Sequence, residues 1–228
     1  MYEGIYELRD AGRYLYATAP QRLPHYTTIY RWVRSGLPSA EAQALPEREL
    51  FINFQDLVSL RMIISLRIAG FSLQHIRRVH KYLQGLTGLK RPFALKDLWI
   101  SETDIFIKME GFLSATKRGQ YAMEFIKDWL RRIPRPDIGN LDLTFIESRG
   151  REMASAWIPH PYVVLNPLIQ FGAPCVQDTR IPTEAVWSMF RGGDTLESIA
   201  KGYNVPLFKV QSALEWEEKV AGITPQRT

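Results

Sequence analysis

One cysteine in 228 residues, Cys175, excludes an internal disulfide. Together with only four scattered histidines it leaves no metal-ligand spacing, and Cys175 reads as a buried structural thiol. No apolar run approaches the roughly 20 residues of a membrane-crossing helix, so no membrane partner is expected. The N-terminus, MYEGIYELRD, lacks the basic start and apolar run of a secretory signal, which points to a cytoplasmic protein. Acidic residues are dispersed, with Glu215, Glu217 and Glu218 reading as a solvated helix face, and no acid, base or metal groups converge. Neither catalysis nor a cofactor is therefore expected. What the chain has is an ordinary globular composition, 46% hydrophobic with eleven Phe, ten Tyr and six Trp.

Charge is unevenly divided. Residues 1 to 92 carry 13 Lys/Arg against 7 Asp/Glu, residues 93 to 157 carry 10 against 10, and residues 158 to 228 carry 6 against 7. The whole excess of +5 therefore lies in the first segment. Clustered positive charge suits a polyanion, because neutralised phosphates release their condensed counterions.

The first segment reads as a chain of short helices. Leu8, Ala11 and Leu15 sit at helical spacing within Tyr6 to Tyr16, and residues 17 to 26, with two prolines, form a long connection. Thr27 then stands as a cap before IYRWVRS, which Gly36 stops. Ile29, Trp32 and Val33 share its packed face, leaving Tyr30, Arg31 and Arg34 to face outward. Residues 37 to 53 suit a two-stranded wing that returns through Leu50 to Ile52, with Arg48 as its phosphate-reaching residue. The run from Phe54 to Gly70 has too many apolar positions for one stripe and must be buried on more than one side. Ser72 caps a further helix, in which Leu73, Ile76, Val79 and Leu83 lie opposite Gln74, Arg77, Arg78 and Lys81.

Periodicity is lost over 86 to 97, where Gly88 and Pro92 mark a boundary. Short apolar runs follow at 98 to 100 and 105 to 109, the second strand-like, and Tyr121 to Leu130 is helical in pattern. Leu141, Leu143 and Phe145 alternate with polar neighbours as in a half-buried strand, with 154 to 158 and 162 to 165 as its partners. Near the end, Pro182 suits a first helical position before Ala185, Val186, Met189 and Phe190. Asp194 and Glu197 resemble a capping box for a second helix, with Leu196, Ile199 and Ala200 inside. After Asn204-Val205-Pro206, a third helix opens on Leu207, Val210 and Leu214. The expected fold is α+β, mainly helical. A winged helix-turn-helix over 1–90 leads to a small central sheet over 91–157 and a three-helix, helix-turn-helix-like bundle over 158–228.

The order of elements over residues 5 to 85, with TTIYRWVRSGL and LRIAGFSLQHIRRV, resembles the MerR-type winged helix. That resemblance implies operator DNA as partner and a recognition helix over Thr27 to Ser35. Physically, such a helix offers a few side chains to base edges while flanking groups hold phosphates. Tyr30 and Arg31 are then the base readers, and Thr27, Thr28, Arg34 and Arg48 the phosphate contacts; Arg77, Arg78 and Lys81 read as a solvated face. Ile29-Tyr30-Arg31 stands where that family often has Leu-Arg-Tyr, so base preferences do not transfer.

At the other end, Gly172-Ala173-Pro174, Thr179-Arg180-Ile181-Pro182 and Gly193 through Ala200 resemble a domain of VapB-type antitoxins long catalogued as of unknown function. Asp178 stands where that family usually has Gly, so a tight turn there falls to a residue that tolerates left-handed backbone less well. Arg180 reads either as a contact to DNA or a partner, or as a brace that bonds backbone carbonyls; Lys209 is a second candidate contact. The joint resemblance implies an antitoxin of a type II toxin-antitoxin system, a homodimer that neutralises a PIN-like ribonuclease toxin and represses its own operon. The alternative is a stand-alone MerR-like regulator in which residues 93 to 165 bind a small effector.

Overall fold

The computed structural model describes residues 4–18, 24–39, 43–44, 50–96, 98–100, 105–108, 112–114, 131–132, 142–148 and 151–222. Strand β1 (Tyr6–Glu7) leads into helix α1 (Leu8–Thr18), whose spacing buries Leu8, Ala11 and Leu15 on one face as the sequence predicts. Helix α2 (Tyr26–Arg34) crosses against it. Gly12 makes the crossing close, for a Cβ there would lie 3.2 Å from the Tyr26 ring. The Tyr16 hydroxyl donates to the Pro24 carbonyl, tying the end of α1 to the approach of α2.

Helix α2 starts two residues earlier than a cap at Thr27 predicts. Because Tyr26 is helical and packs on Gly12, the cap falls to His25, whose Nδ1 accepts the Thr27 backbone N–H at 3.3 Å. Thr27 is therefore inside the first turn and not its cap. Ile29, Trp32 and Val33 are buried as expected, each contributing roughly 1.5–3 kcal/mol by leaving water.

The expected wing is β2 (Gln43–Ala44) paired antiparallel with β3 (Leu50–Ile52); β1 adds a third strand on the other side of β3. Helix α3 (Phe54–Ile68) opens on a capping box in which Asn53 accepts the Asp56 N–H while Asp56 accepts the Asn53 N–H. Phe54 and every residue from Asp56 to Leu66 are buried, which is why one stripe could not account for it. Helix α4 (Leu73–Thr87) is capped by Ser72, as predicted, and ends on Gly88 in left-handed conformation.

Next come β4 (Leu98–Ile100), β5 (Ile105–Lys108), β6 (Phe112–Ser114) and β7 (Arg131–Arg132), ordered β6-β5-β4-β7. The helix expected at 121–130 lies outside the described residues. The strand expected at 141–147 is β8 (Asp142–Ser148); it pairs with β9 (Arg151–His160) as expected, whereas β10 (Val163–Leu165) pairs with the far edge of β9 and not with β8. A short β11 (Pro174–Val176) completes the order β11-β10-β9-β8.

The chain ends in α5 (Thr183–Arg191), α6 (Leu196–Tyr203) and α7 (Leu207–Ala221). Pro182 precedes α5 instead of opening it, and the cap of α6 is Thr195, which accepts the Ser198 N–H at 3.2 Å. The Asp194–Glu197 box is thus displaced by its neighbour. Of the apolar residues that mark α5 in the sequence, Val186 is buried and Phe190 is exposed. The fold is α+β, with small sheets among helices.

One large core fills the space between α1, α2, α3 and α4 and runs on into Phe93, Leu95, Met153, Ala154, Trp157 and Leu165, past residue 90. A second, around Val186, Ile199, Val210 and Ala213, belongs to the three last helices. Between them Val163, Trp216 and Val220 meet Tyr14 and Ala17 of α1, so the first and last helices of the chain share a seam. Among the described residues no helix is long and apolar enough to cross a membrane, and no group of His, Cys, Asp and Glu is placed to hold a metal ion.

Candidate nucleic-acid interface

On α2 the alternation of packed and free positions leaves Arg31 and Arg34 exposed in the last turn. Two guanidinium groups at that end meet the negative pole of the helix dipole, which favours them there even without a ligand. Tyr30 is only half-buried, packing partly on the core, with the Tyr26 ring 6.4 Å away on one side and the Arg34 guanidinium 5.9 Å from its centroid on the other. Tyr30 and Arg34 therefore form one stacked unit, whereas Arg31 stands by itself beside it. Thr27 and Thr28, in the first turn, are half-buried. Arg48 lies outside the described residues.

Sequence periodicity assigns Arg77 to a solvated face; in the fold it also has a partner. Its Nη2 donates to Ser35 Oγ at 2.6 Å, and that hydroxyl donates in turn to the Trp32 carbonyl at 2.8 Å. Helix α4 thereby holds the C-terminal end of α2 and brings Arg77 to the same edge as the end carrying Arg34. Arg78 and Lys81 are exposed on α4, as the stripe of Ile76, Val79 and Leu83 demands.

Behind this surface lies a buried ion pair. Asp56 accepts Arg91 Nε at 2.8 Å and Nη2 at 3.3 Å, together with the Ser39 hydroxyl at 2.8 Å and the Asn53 N–H. Ser39 belongs to the segment leaving α2, so one carboxylate fixes the start of α3, the exit of α2 and the segment before Pro92 at once. His80 sits alongside, stacked 5.3 Å from Phe93, and burial pushes its pKa down, against smaller upward pulls from the Pro38 carbonyl and Asp56.

In the last segment the two candidate cations differ. Lys209 is committed: Nζ donates to the Gln177 carbonyl at 2.9 Å and to Asp178 at 3.0 Å. It thus braces the turn in which Asp178, with φ of 63°, takes the left-handed backbone the sequence analysis anticipates. Arg180 is exposed, and its guanidinium makes no hydrogen bond among the described residues, while its own carbonyl accepts Gln170 Nε2 at 3.0 Å. The brace is Lys209, not Arg180. Gly172 has a specific reason to be glycine: its φ is 94°, its carbonyl accepts the Tyr6 hydroxyl at 2.9 Å, and a Cβ would collide with that same hydroxyl. Cys175 is buried, and burial pushes its thiol up to about 11.

His160 joins β9 to α7. Lys219 Nζ can only donate, so Nδ1, 3.1 Å away, accepts, which leaves the proton on Nε2, 3.4 Å from Glu215. Burial, then the neighbouring Lys219, lower the imidazole pKa. An imidazole held below its ordinary value of 6.5 favours the folded state fully above that pH and loses this contribution as pH falls, because the unfolded chain takes up the proton first. Accordingly, the difference in unfolding free energy between the wild type and His160→Gln, measured by denaturant titration, is expected to shrink from pH 8 to pH 5. A difference that grows on acidification would overturn this assignment. Pairing the two proteins cancels the opposite contribution of Glu217, whose carboxyl is raised by burial.

Residues 163–216 match a family described as a protein of unknown function, DUF433, which spans β10, β11, α5, α6 and most of α7. No curated protein matches the sequence. Among solved structures, the chain is similar to the crystal structure of Rv2018 from Mycobacterium tuberculosis, at 19% identity and a TM-score of 0.57. That likeness covers 92% of this chain and 96% of the other, so the two share a fold over most of their length.

Proposed function

We propose that this protein is an antitoxin that binds and neutralises a PIN-like ribonuclease and represses its own operon, with residues 1–90 acting as a MerR-like DNA-binding unit and residues 158–228 as a VapB-type antitoxin domain. The observation that carries the DNA-binding half is the exposed pair Arg31 and Arg34 at the end of a short, capped helix whose other face is buried, beside a β2–β3 wing. That is the arrangement by which a recognition helix enters a major groove while a wing lies along the backbone. The net charge of +6 on residues 1–92 supports it, since such binding is driven largely by phosphate neutralisation. The toxin partner is supported by the resemblance of the last segment alone.

Two measurements test the reading. Coexpression with the adjacent reading frame should yield a complex and relieve its toxicity; a PIN-like neighbour that neither copurifies nor becomes harmless removes the antitoxin function. Replacing Tyr30 and Arg31 together with Ala should lower affinity for the promoter fragment by about 100-fold, at roughly 1–3 kcal/mol per lost base contact, and leave partner binding intact. Because Tyr30 also packs on the core, Arg31→Ala alone is the cleaner arm. Unchanged promoter affinity in both variants would mean that α2 does not read DNA.

A further inference from the structure

Helix α7 stands where a second recognition helix would: it follows α6 across the three residues Asn204, Val205 and Pro206, and packs on both α5 and α6. Its chemistry is unsuited to DNA. The inner positions Val210, Ala213 and Leu214 face the helical core, and Ser212, Trp216 and Val220 face the seam. Its exposed side carries a stripe of Phe208, Gln211, Glu215 and Glu218, three or four residues apart, with Leu207 and Lys219 exposed beside its two ends. The sole cation in the first two turns, Lys209, is bound to Asp178 and the Gln177 carbonyl. At the far end Lys219 is occupied by His160. A phosphate backbone approaching this face would meet two carboxylates, with Lys219 as the one exposed cation of α7 beside them.

The apolar end of the stripe is built up further. Phe208 is 50% exposed and Tyr162 43% exposed, and their rings meet edge to face at 4.8 Å. Tyr162 is held there by a left-handed backbone, φ 58°, a conformation disfavoured for a residue that is not glycine. Leu207 adds a third exposed apolar side chain. Aromatic side chains displayed in this way are the commonest anchors of protein interfaces.

We infer that the exposed face of α7 is a protein-docking surface whose occupant is a segment of the toxin partner carrying an apolar side chain beside lysines or arginines. The apolar residue covers Phe208 and Tyr162, and the cations face Glu215 and Glu218. Charge complementarity selects this occupant: the acidic stripe repels nucleic acid and attracts a basic protein surface. The inference rests on the antitoxin reading and adds to it the site and the chemistry of the partner.

The test uses the full chain with the product of the adjacent reading frame, comparing wild type with Phe208→Ala and Glu218→Lys. Both positions are exposed, so melting temperature and promoter affinity should stay at wild-type values and report that the fold is intact. Phe208→Ala is expected to weaken the complex about 30-fold, and Glu218→Lys about tenfold at low salt with a smaller effect at high salt. If the wild type binds the neighbour and both variants bind equally well, the docking face is wrong while the antitoxin reading stands. Variants that lose promoter affinity and keep the complex would make α7 a nucleic-acid surface and overturn the inference. Failure of the wild type to bind removes both.

Discussion

Replacing Asp56 with Ala is expected to destabilise the chain by about 3–5 kcal/mol, the usual consequence of leaving a buried charge without its partner. Asp56 is 2% exposed and Arg91 8%, so water does not replace the carboxylate. The loss has three parts: the two bonds from Arg91, the bond from Ser39, and the return half of the capping box on α3. Denaturant unfolding of wild type, Asp56→Ala, Arg91→Met and the double variant isolates the Arg91 part from the other two. The double variant should be destabilised by well under the sum of the singles, since removing both charges abolishes the uncompensated one. Strict additivity would mean that Asp56 and Arg91 do not act as a pair. Promoter binding should fall with Asp56→Ala even where the variant is still folded, because Ser39 then no longer fixes the exit of α2.

Part of this architecture is legible in the sequence because it is written in local periodicity. The i, i+3, i+4 spacing of Ile29, Trp32 and Val33, the overloaded run after Phe54, and the single stripe of Ile76, Val79 and Leu83 each dictate a helix and the face it buries. The alternation around Leu143 likewise dictates β8. Helix starts are less legible where several good caps stand together: in Asp194-Thr195 either side chain could cap, and in His25-Tyr26-Thr27 the packing of Tyr26 on Gly12 moves the cap to His25, which is a tertiary matter. The long-range polar contacts are not legible at all. Nothing local says that Asp56 waits for Arg91, that Arg77 reaches back to Ser35, or that the Tyr6 hydroxyl finds Gly172 at the other end of the chain. Lys209 shows the same limit, since a cation read as free for a ligand is used to hold a strained turn.

These contacts bear on how the two ends of the molecule work together. A DNA-reading unit and an antitoxin domain joined by a linker would respond to their ligands separately. Here Ile5 donates its N–H to the Phe171 carbonyl, Tyr6 bonds Gly172, and α1 packs on α7, so the helix that positions α2 also leans on the helix proposed to hold the toxin. A ligand that shifts α7 must therefore disturb α1 or break the seam.

Trp216→Ala is the direct test of that seam and is expected to cost about 3–5 kcal/mol, as for other fully buried tryptophans. The indole lies between the Tyr14 ring at 5.8 Å and the His160 ring at 6.4 Å, against Val163 and Val220, and this small cluster is the apolar bridge between the two larger cores. Removing it should do more than lower stability. Each remaining core has its own helices, so the variant is expected to lose cooperativity, with amides of α7 exchanging at a lower free energy than those of α3, and the wild type is expected to exchange both at the same free energy. Hydrogen exchange resolved by segment reads this directly. If Trp216→Ala lowers the free energy of both helices equally, the two cores are a single folding unit through other contacts; if it changes neither, the seam carries no energy. The split result would mean that the partner site proposed at α7 and the DNA contact proposed at α2 are coupled through one tryptophan and the tyrosine beside it.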